Sequence, residues 1–178
     1  MDGMKKLVTP FFRAGVFSFF LFIFFGSLAF ALPSAPVFSS VTLEGKPVSS
    51  SQLAGKVYIV NFFASWCPPC RAEIPDMVTL QTKYGRKGFT FIGVAVNETE
   101  SSMRSFVKKY KINYPVIMVD DKIIGAFNTL VDGGVQAIPT SFVVSSSGKV
   151  TQVFTGARSK EVLEQLILQA LTKPIVSK

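Results

Sequence analysis

Residues 57–63 read VYIVNFF and residues 89–96 read FTFIGVAV. Runs of this length, apolar almost throughout and rich in β-branched and aromatic residues, predict strands buried on both faces. Between them the period changes. Ile74, Met77, Leu80 and Tyr84 recur at helical spacing, and Gly85 with Gly88 ends the segment. Met103, Phe106, Val107 and Tyr110 mark the inner stripe of a second helix. YPVIMVD, from Tyr114, predicts a third strand, followed by a short helix near residues 122–130. TSFVVSS and KVTQVFTG flank Ser147 and Gly148, which reads as a hairpin turn. A last helix starts near Ser159, with Val162, Leu163, Leu166, Ile167, Ala170 and Leu171 on one face. Upstream, VTLEGKPVSSSQLAGK predicts a short strand, a turn at Gly45 and Lys46, and a polar connection. Strands alternating with helices and then a hairpin predict an α/β fold with a mixed sheet.

The first 31 residues follow none of these periods. They hold nine of the eighteen phenylalanines, and they begin with Lys5, Lys6 and Arg13 before an uncharged run over residues 14–43. A basic start, an apolar stretch and the small-x-small ending Ala29, Phe30 and Ala31 form the layout of a secretory signal, cut after Ala31. Residues 14–32 would equally cross about 30 Å of hydrocarbon as an uncleaved anchor. Under either reading the positive-inside rule keeps Lys5, Lys6 and Arg13 in the cytoplasm and sends the remainder across the membrane. The chain therefore divides into a signal peptide or membrane anchor (1–31), a Pro/Ser-rich link (32–36) and one folded domain (37–178). Without the leader, 16 basic and 10 acidic residues remain. They are scattered, apart from Lys108, Lys109 and Lys111, so the concentrated patch that nucleic acid requires is missing.

Candidate chemistry is confined to one place. The only two cysteines are Cys67 and Cys70, separated by Pro68 and Pro69 in the stretch NFFASWCPPCRAE. A structural zinc site takes four ligands, and two cysteines with no histidine cannot supply them. A structural staple across so short a loop would stabilise little. Thiol-disulfide exchange remains, and the setting suits it. A strand ends and a helix begins here, with Cys67 at the N-cap, Pro68 and Pro69 in the first two helical positions, and Cys70 third. Proline fits the first turn because its missing N–H has no partner there. The positive helix end favours a thiolate at Cys67. Cys67 is then the exposed attacker and Cys70 the more buried resolving thiol. Because neither proline carries an N–H, the Cys70 amide is the one donor in the first three positions that can reach the Cys67 sulfur.

With GKVYIVNFFASWCPPC, Pro75 five residues after Cys70, and GVQAIPTSFVVSSSGKV in this order, the sequence resembles the thioredoxin superfamily over residues 37–171. Within it, the chain is most similar to the TlpA/ResA-like exported thiol-disulfide oxidoreductases. The resemblance implies a thioredoxin-like fold: a central mixed sheet flanked by helices, with an inserted strand-helix unit at 115–130 and an N-terminal strand extension. It implies that Pro139 follows a cis peptide bond, which turns the Ile138 backbone toward Cys67 for pairing with a substrate strand. Trp66 would flank that groove, its alternative being core packing. Glu73 matches a carboxylate kept near the thiols, its alternative being an exposed acid of the first helical turn. The buried aspartate of ordinary thioredoxins is replaced by Asn61.

What the resemblance implies about activity is an exported protein that exchanges dithiol for disulfide in cysteine-containing exported proteins, as a reductant serving cytochrome c maturation or thiol repair. Electrons would come from a membrane thiol-disulfide transporter, and the Cys67–Cys70 pair would need no other cofactor. Two other readings stay open on sequence. One is a peroxidase of the peroxiredoxin or glutathione-peroxidase type, and the other a membrane-tethered binding domain with a silent disulfide. Against an oxidising isomerase, no histidine lies between the cysteines.

Overall fold

The computed structural model describes residues 32–172. The leader read over residues 1–31 lies outside them. Among the described residues, seven strands and four α-helices run in the order β1 (Ser39–Val41), β2 (Pro47–Ser49), β3 (Val57–Phe63), α1 (Pro68–Tyr84), β4 (Phe89–Ala95), α2 (Glu100–Tyr110), β5 (Val116–Met118), α3 (Asp121–Asn128), β6 (Thr140–Val144), β7 (Val150–Thr155) and α4 (Lys160–Thr172). Five strands form one sheet in the order β5-β4-β3-β6-β7. β3, β4 and β5 are mutually parallel, β6 runs antiparallel to β3, and β7 antiparallel to β6. This is the mixed sheet of a thioredoxin-like fold, with β5 and α3 as the inserted unit.

Strand alternation divides the core. Val57, Ile59 and Phe63 face a cluster with α1, α2 and α4, containing Met77, Leu80, Phe106 and Leu163. Tyr58, Val60 and Phe62 face the opposite cluster, covered by α3 and the N-terminal hairpin through Phe127, Phe38 and Val48. Parallel strands demand this double cover, because helices of successive crossovers lie on the sheet faces. In the second layer Phe127 packs edge-on to Phe62 and Phe142 at centroid distances of 5.4 and 4.9 Å.

Three local expectations change. The polar connection after Gly45 contains a strand, Pro47–Ser49, paired with Ser39–Val41 in an antiparallel hairpin. Its only inward residue is Val48, so no alternation could announce it. Val162 is 39% exposed rather than on the inner face of α4. The buried stripe runs through Leu163, Leu166, Ile167 and Ala170, a spacing that leaves Val162 off to one side. Within the stretch read as a link, Ala35 N–H donates to the Gly148 carbonyl at 2.9 Å and Val150 N–H to the Pro33 carbonyl at 2.8 Å. The chain is thus tied to the β6–β7 turn from Pro33 onward.

One position tests the packing behind the site. Gly93 lies in β4, and a methyl group there would sit 2.9 Å from Cε1 of Phe63 and 3.3 Å from Cγ2 of Val116. Gly93→Ala should lower the unfolding free energy by roughly 1–3 kcal/mol, the usual effect of overpacking. Urea denaturation checks this; a midpoint equal to that of the parent would show that the Phe63 ring moves aside freely.

Candidate functional site

β3 ends at Phe63, and the next three residues lead directly to the cap of α1. Cys67 is the N-cap residue, with extended backbone at φ −85° and ψ 111°, and Pro68 and Pro69 occupy the first two helical positions. The Cys70 N–H donates to Sγ of Cys67 at 3.3 Å. Sulfur thus does here what a serine or aspartate oxygen does at an ordinary helix start. Cys67 and Cys70 are joined as a disulfide, with Cα atoms 5.3 Å apart.

The expected difference in exposure between the two cysteines is absent in this form. Cys67 is 3% exposed and Cys70 2%. Both residues belong to the core cluster that α1 contributes to.

The peptide bond Ile138-Pro139 is cis. It lies just before β6, whose Thr140 pairs with Phe62 near the end of β3. That pairing brings the Ile138 carbonyl oxygen to 3.7 Å from Sγ of Cys67. Trp66 is 56% exposed, which excludes the core-packing alternative. Its indole N–H donates to the Asn97 carbonyl at 3.2 Å. Beside it opens a cleft of about 380 Å³ of mixed character, lined by Trp66, Val119, Ile124 and Ile138 together with Asp120 and Asp121.

Glu73 is not an exposed first-turn acid. It lies in the second turn of α1, one helical step after Cys70, and is 3% exposed. Burial pushes its carboxyl up to about 7, against the opposing pull of Arg158, whose backbone N–H donates to Oε1 at 3.4 Å. Asp76 adds a smaller push in the same upward direction. Asn61, in the middle of β3, is also buried, and its side-chain N–H donates to Oγ of Ser141 at 2.9 Å. A neutral amide paired with a neutral hydroxyl satisfies both groups without placing a charge in the sheet.

Two contributors escaped sequence reasoning. Arg158 is separated from Glu73 by 85 positions, and only the return of the chain after β7 brings them together. The loop that follows β4 and holds Trp66 was also missed. Its signal was available: NETE is a polar stretch directly after a buried parallel strand, where α/β sheets place their functional loops.

Residues 32–167 match the protein family described as Redoxin. The thiol-disulfide oxidoreductase ResA of a Bacillus cereus strain is 40% identical over 131 residues, spanning 73% of this chain and 72% of that protein. ResA of Bacillus subtilis (strain 168) is 29% identical over 171 residues, spanning 90% and 92%. Among solved structures, a thiol:disulfide interchange protein of the thioredoxin family from Chlorobium tepidum TLS has 51% identity. Its TM-score is 0.77, covering 79% of this chain and 97% of that one. A secreted Mycobacterium tuberculosis disulfide oxidoreductase has 27% identity and a TM-score of 0.64, covering 74% and 95%.

The buried Glu73 carboxyl gives stability a pH dependence of definite sign. A carboxyl at about 7 when folded and 4.5 when unfolded holds its proton more tightly in the native state. Its contribution is therefore intact below pH 4.5, falls as pH rises, and is fully lost above 7. The loss amounts to about 3 kcal/mol. Glu73→Gln should remove this slope in the disulfide form, where neither sulfur titrates. Urea unfolding of both proteins at several pH values between 5 and 8 measures it. Parallel stability profiles for parent and variant would contradict the assignment.

Proposed function

We propose, for a chain that belongs to the redoxin family and is a protein thiol-disulfide oxidoreductase, that it reduces disulfides in exported proteins outside the cytoplasm. The observation that carries this is the position of Cys67. Its sulfur caps α1 at 3.3 Å from the Cys70 N–H and lies 3.7 Å from the carbonyl of the cis peptide Ile138-Pro139. One side offers stabilisation for a thiolate, and the other offers backbone groups for an extended substrate.

In the reducing direction the Cys67 thiolate attacks one sulfur of a substrate disulfide, and the other substrate sulfur leaves as a thiolate. The Cys70 thiol, deprotonated, then attacks Sγ of Cys67. This closes the Cys67–Cys70 disulfide and releases the second substrate sulfur. Two electrons pass from the dithiol to the substrate, and the two protons of the dithiol end on the substrate thiols. Resetting the pair requires a dithiol donor, for which a membrane thiol-disulfide transporter fits an exported domain.

The direction follows from what the site withholds. A strong oxidant owes its potential to a stabilised reduced form. Here Pro68 and Pro69 contribute no N–H to the Cys67 sulfur. Glu73, buried on the same helix and titrating near 7, adds negative charge as pH rises. Both features disfavour the thiolate, which supports a reductant. Export rests on Lys5, Lys6 and Arg13 before the apolar run, with cleavage after Ala31 or retention as an anchor. The secreted Mycobacterium tuberculosis neighbour is consistent with that location. Apocytochrome c thiols and other exported cysteines are the substrate class we favour.

Two experiments test these proposals. Cys70→Ser removes the resolving thiol and leaves the attacker, so a reducible covalent adduct to an exported cysteine-containing protein should accumulate. Cys67→Ser should give none, and peptide mapping of the adduct names the substrate. Adducts formed only through Cys70 would reverse the two roles. Separately, alkaline phosphatase fused after Lys178 should be active in cells, whereas a cytoplasmic reporter at the same point should be silent. The opposite pattern would overturn export.

A further inference from the structure

The loop after β4 grips the turn that delivers Cys67 at two points. β3 and β4 are parallel neighbours, so the chains leaving them emerge side by side. The Val96 N–H donates to the Phe63 carbonyl at 3.0 Å, carrying the pairing to the very end of β3. Asn97 then takes a left-handed conformation at φ 51°. Asparagine tolerates this region better than most residues, and such positions cluster at functional sites. From there the Asn97 carbonyl accepts the Trp66 indole N–H, and Oε1 of Glu98 accepts the Ser65 N–H at 2.6 Å.

The Ser65 amide has no place in either neighbouring ladder. β3 has ended at Phe63, and the helix does not begin until Pro68. Glu98 satisfies this amide from 33 positions away, in a half-buried setting. Neither salt bridge among the described residues involves Glu98.

We propose that Glu98 is a positioning residue for exchange at Cys67, an inference that rests on the thiol-disulfide reading above. The Cys67 sulfur is fixed from the helix side by the Cys70 N–H. From the strand side it is carried by the turn 64–66, which the Cys67 N–H closes on the Ala64 carbonyl at 3.3 Å and which the loop after β4 holds through Asn97 at Trp66 and Glu98 at Ser65. A charge-assisted hydrogen bond to a backbone amide is short and about twice as strong as a neutral one. Exchange needs the attacking sulfur in line with the disulfide it opens, and small misplacements of a reacting atom are costly in rate. Without Glu98 the Ser65 amide must turn to water. The turn then loosens, and the Cys67 sulfur loses its alignment with the Cys70 N–H.

The test uses the full folded domain in its reduced form, with dithiobis(nitrobenzoate) as the disulfide probe. Glu98→Ala should reduce the probe about tenfold more slowly, the size expected for losing a hydrogen bond to a charged group. Glu98→Gln keeps an acceptor oxygen and should restore the rate toward the parent value. The thiolate midpoint separates positioning from charge: removing a nearby carboxylate lowers it alike in Glu98→Ala and Glu98→Gln, whereas the rate should fall only in Glu98→Ala. An unchanged rate in Glu98→Ala overturns the proposal, as does a Glu98→Gln variant as slow as the alanine one. Should Glu98→Ala fail to fold, Glu98→Asp carries the test: its shorter reach should slow exchange, and an unchanged rate overturns the proposal. The trapped adduct of Cys70→Ser reports on the exchange reading itself, so the two failures are separable.

Discussion

The site depends on where β3 is forced to stop. Val57–Phe63 is buried along its whole length and paired on both sides, by β4 and by β6. A strand held in this way has no freedom at its C-terminal end. The chain must leave the sheet at a fixed point, and Cys67 lies four residues beyond Phe63. The other half of the site is anchored to the same strand. β6 pairs with β3 from Thr140 onward, so the cis peptide before it is delivered to the same end of the sheet. Sulfur and substrate-facing backbone are thereby set against each other by ladder register, which is more exacting than any loop could be.

Within that frame the electrostatics at the start of α1 oppose one another. The helix terminus favours a thiolate at its N-cap. The two prolines subtract from this by removing donors, leaving the Cys70 amide as the contact to the sulfur. Glu73 subtracts further. It is buried, and its carboxyl sits near 7 because burial outweighs the help it receives from Arg158. A buried acid poised there is neutral at mild acidity and becomes a competing anion as pH rises. The cysteine pair is therefore set in fixed geometry while the groups around it pull its electrostatics in opposite directions.

Much of this was legible in the sequence, and the limits have physical causes. β3 and β4 were readable because burial on both faces leaves nearly continuous apolar runs, and β6 because it flanks the turn at Ser147 and Gly148. The cap at Cys67 was readable because two prolines fit only at the first turn of a helix. β2 was not, since a three-residue strand with one inward side chain carries no period. The pairing of Pro33 and Ala35 with the β6–β7 turn was hidden because backbone hydrogen bonds leave no trace in residue type. The burial of Glu73 and the reach of Glu98 were hidden for a related reason. Each depends on a partner brought near by the fold, 85 and 33 positions away. Cys67 looked exposed because it stands at a helix start, yet it is buried in the core cluster, a packing that residue type at a cap does not reveal.

The division of the core into two layers explains how α3 shapes the cleft from the side opposite the sulfurs. Cys67 and Cys70 pack in the layer of α1, α2 and α4. Ile123 and Phe127 of α3 pack in the opposite layer, with the N-terminal hairpin. Ile138 is packed against both layers, directly before the cis bond. It also shares the cleft wall with Trp66 on one side and with Val119 and Ile124 on the other. Changes in α3 can therefore alter the cleft from the layer opposite the disulfide, whereas β5 also reaches the disulfide's own layer through Val116. Cleft and disulfide meet at Ile138, the residue whose carbonyl lies 3.7 Å from the Cys67 sulfur and which also lines the cleft.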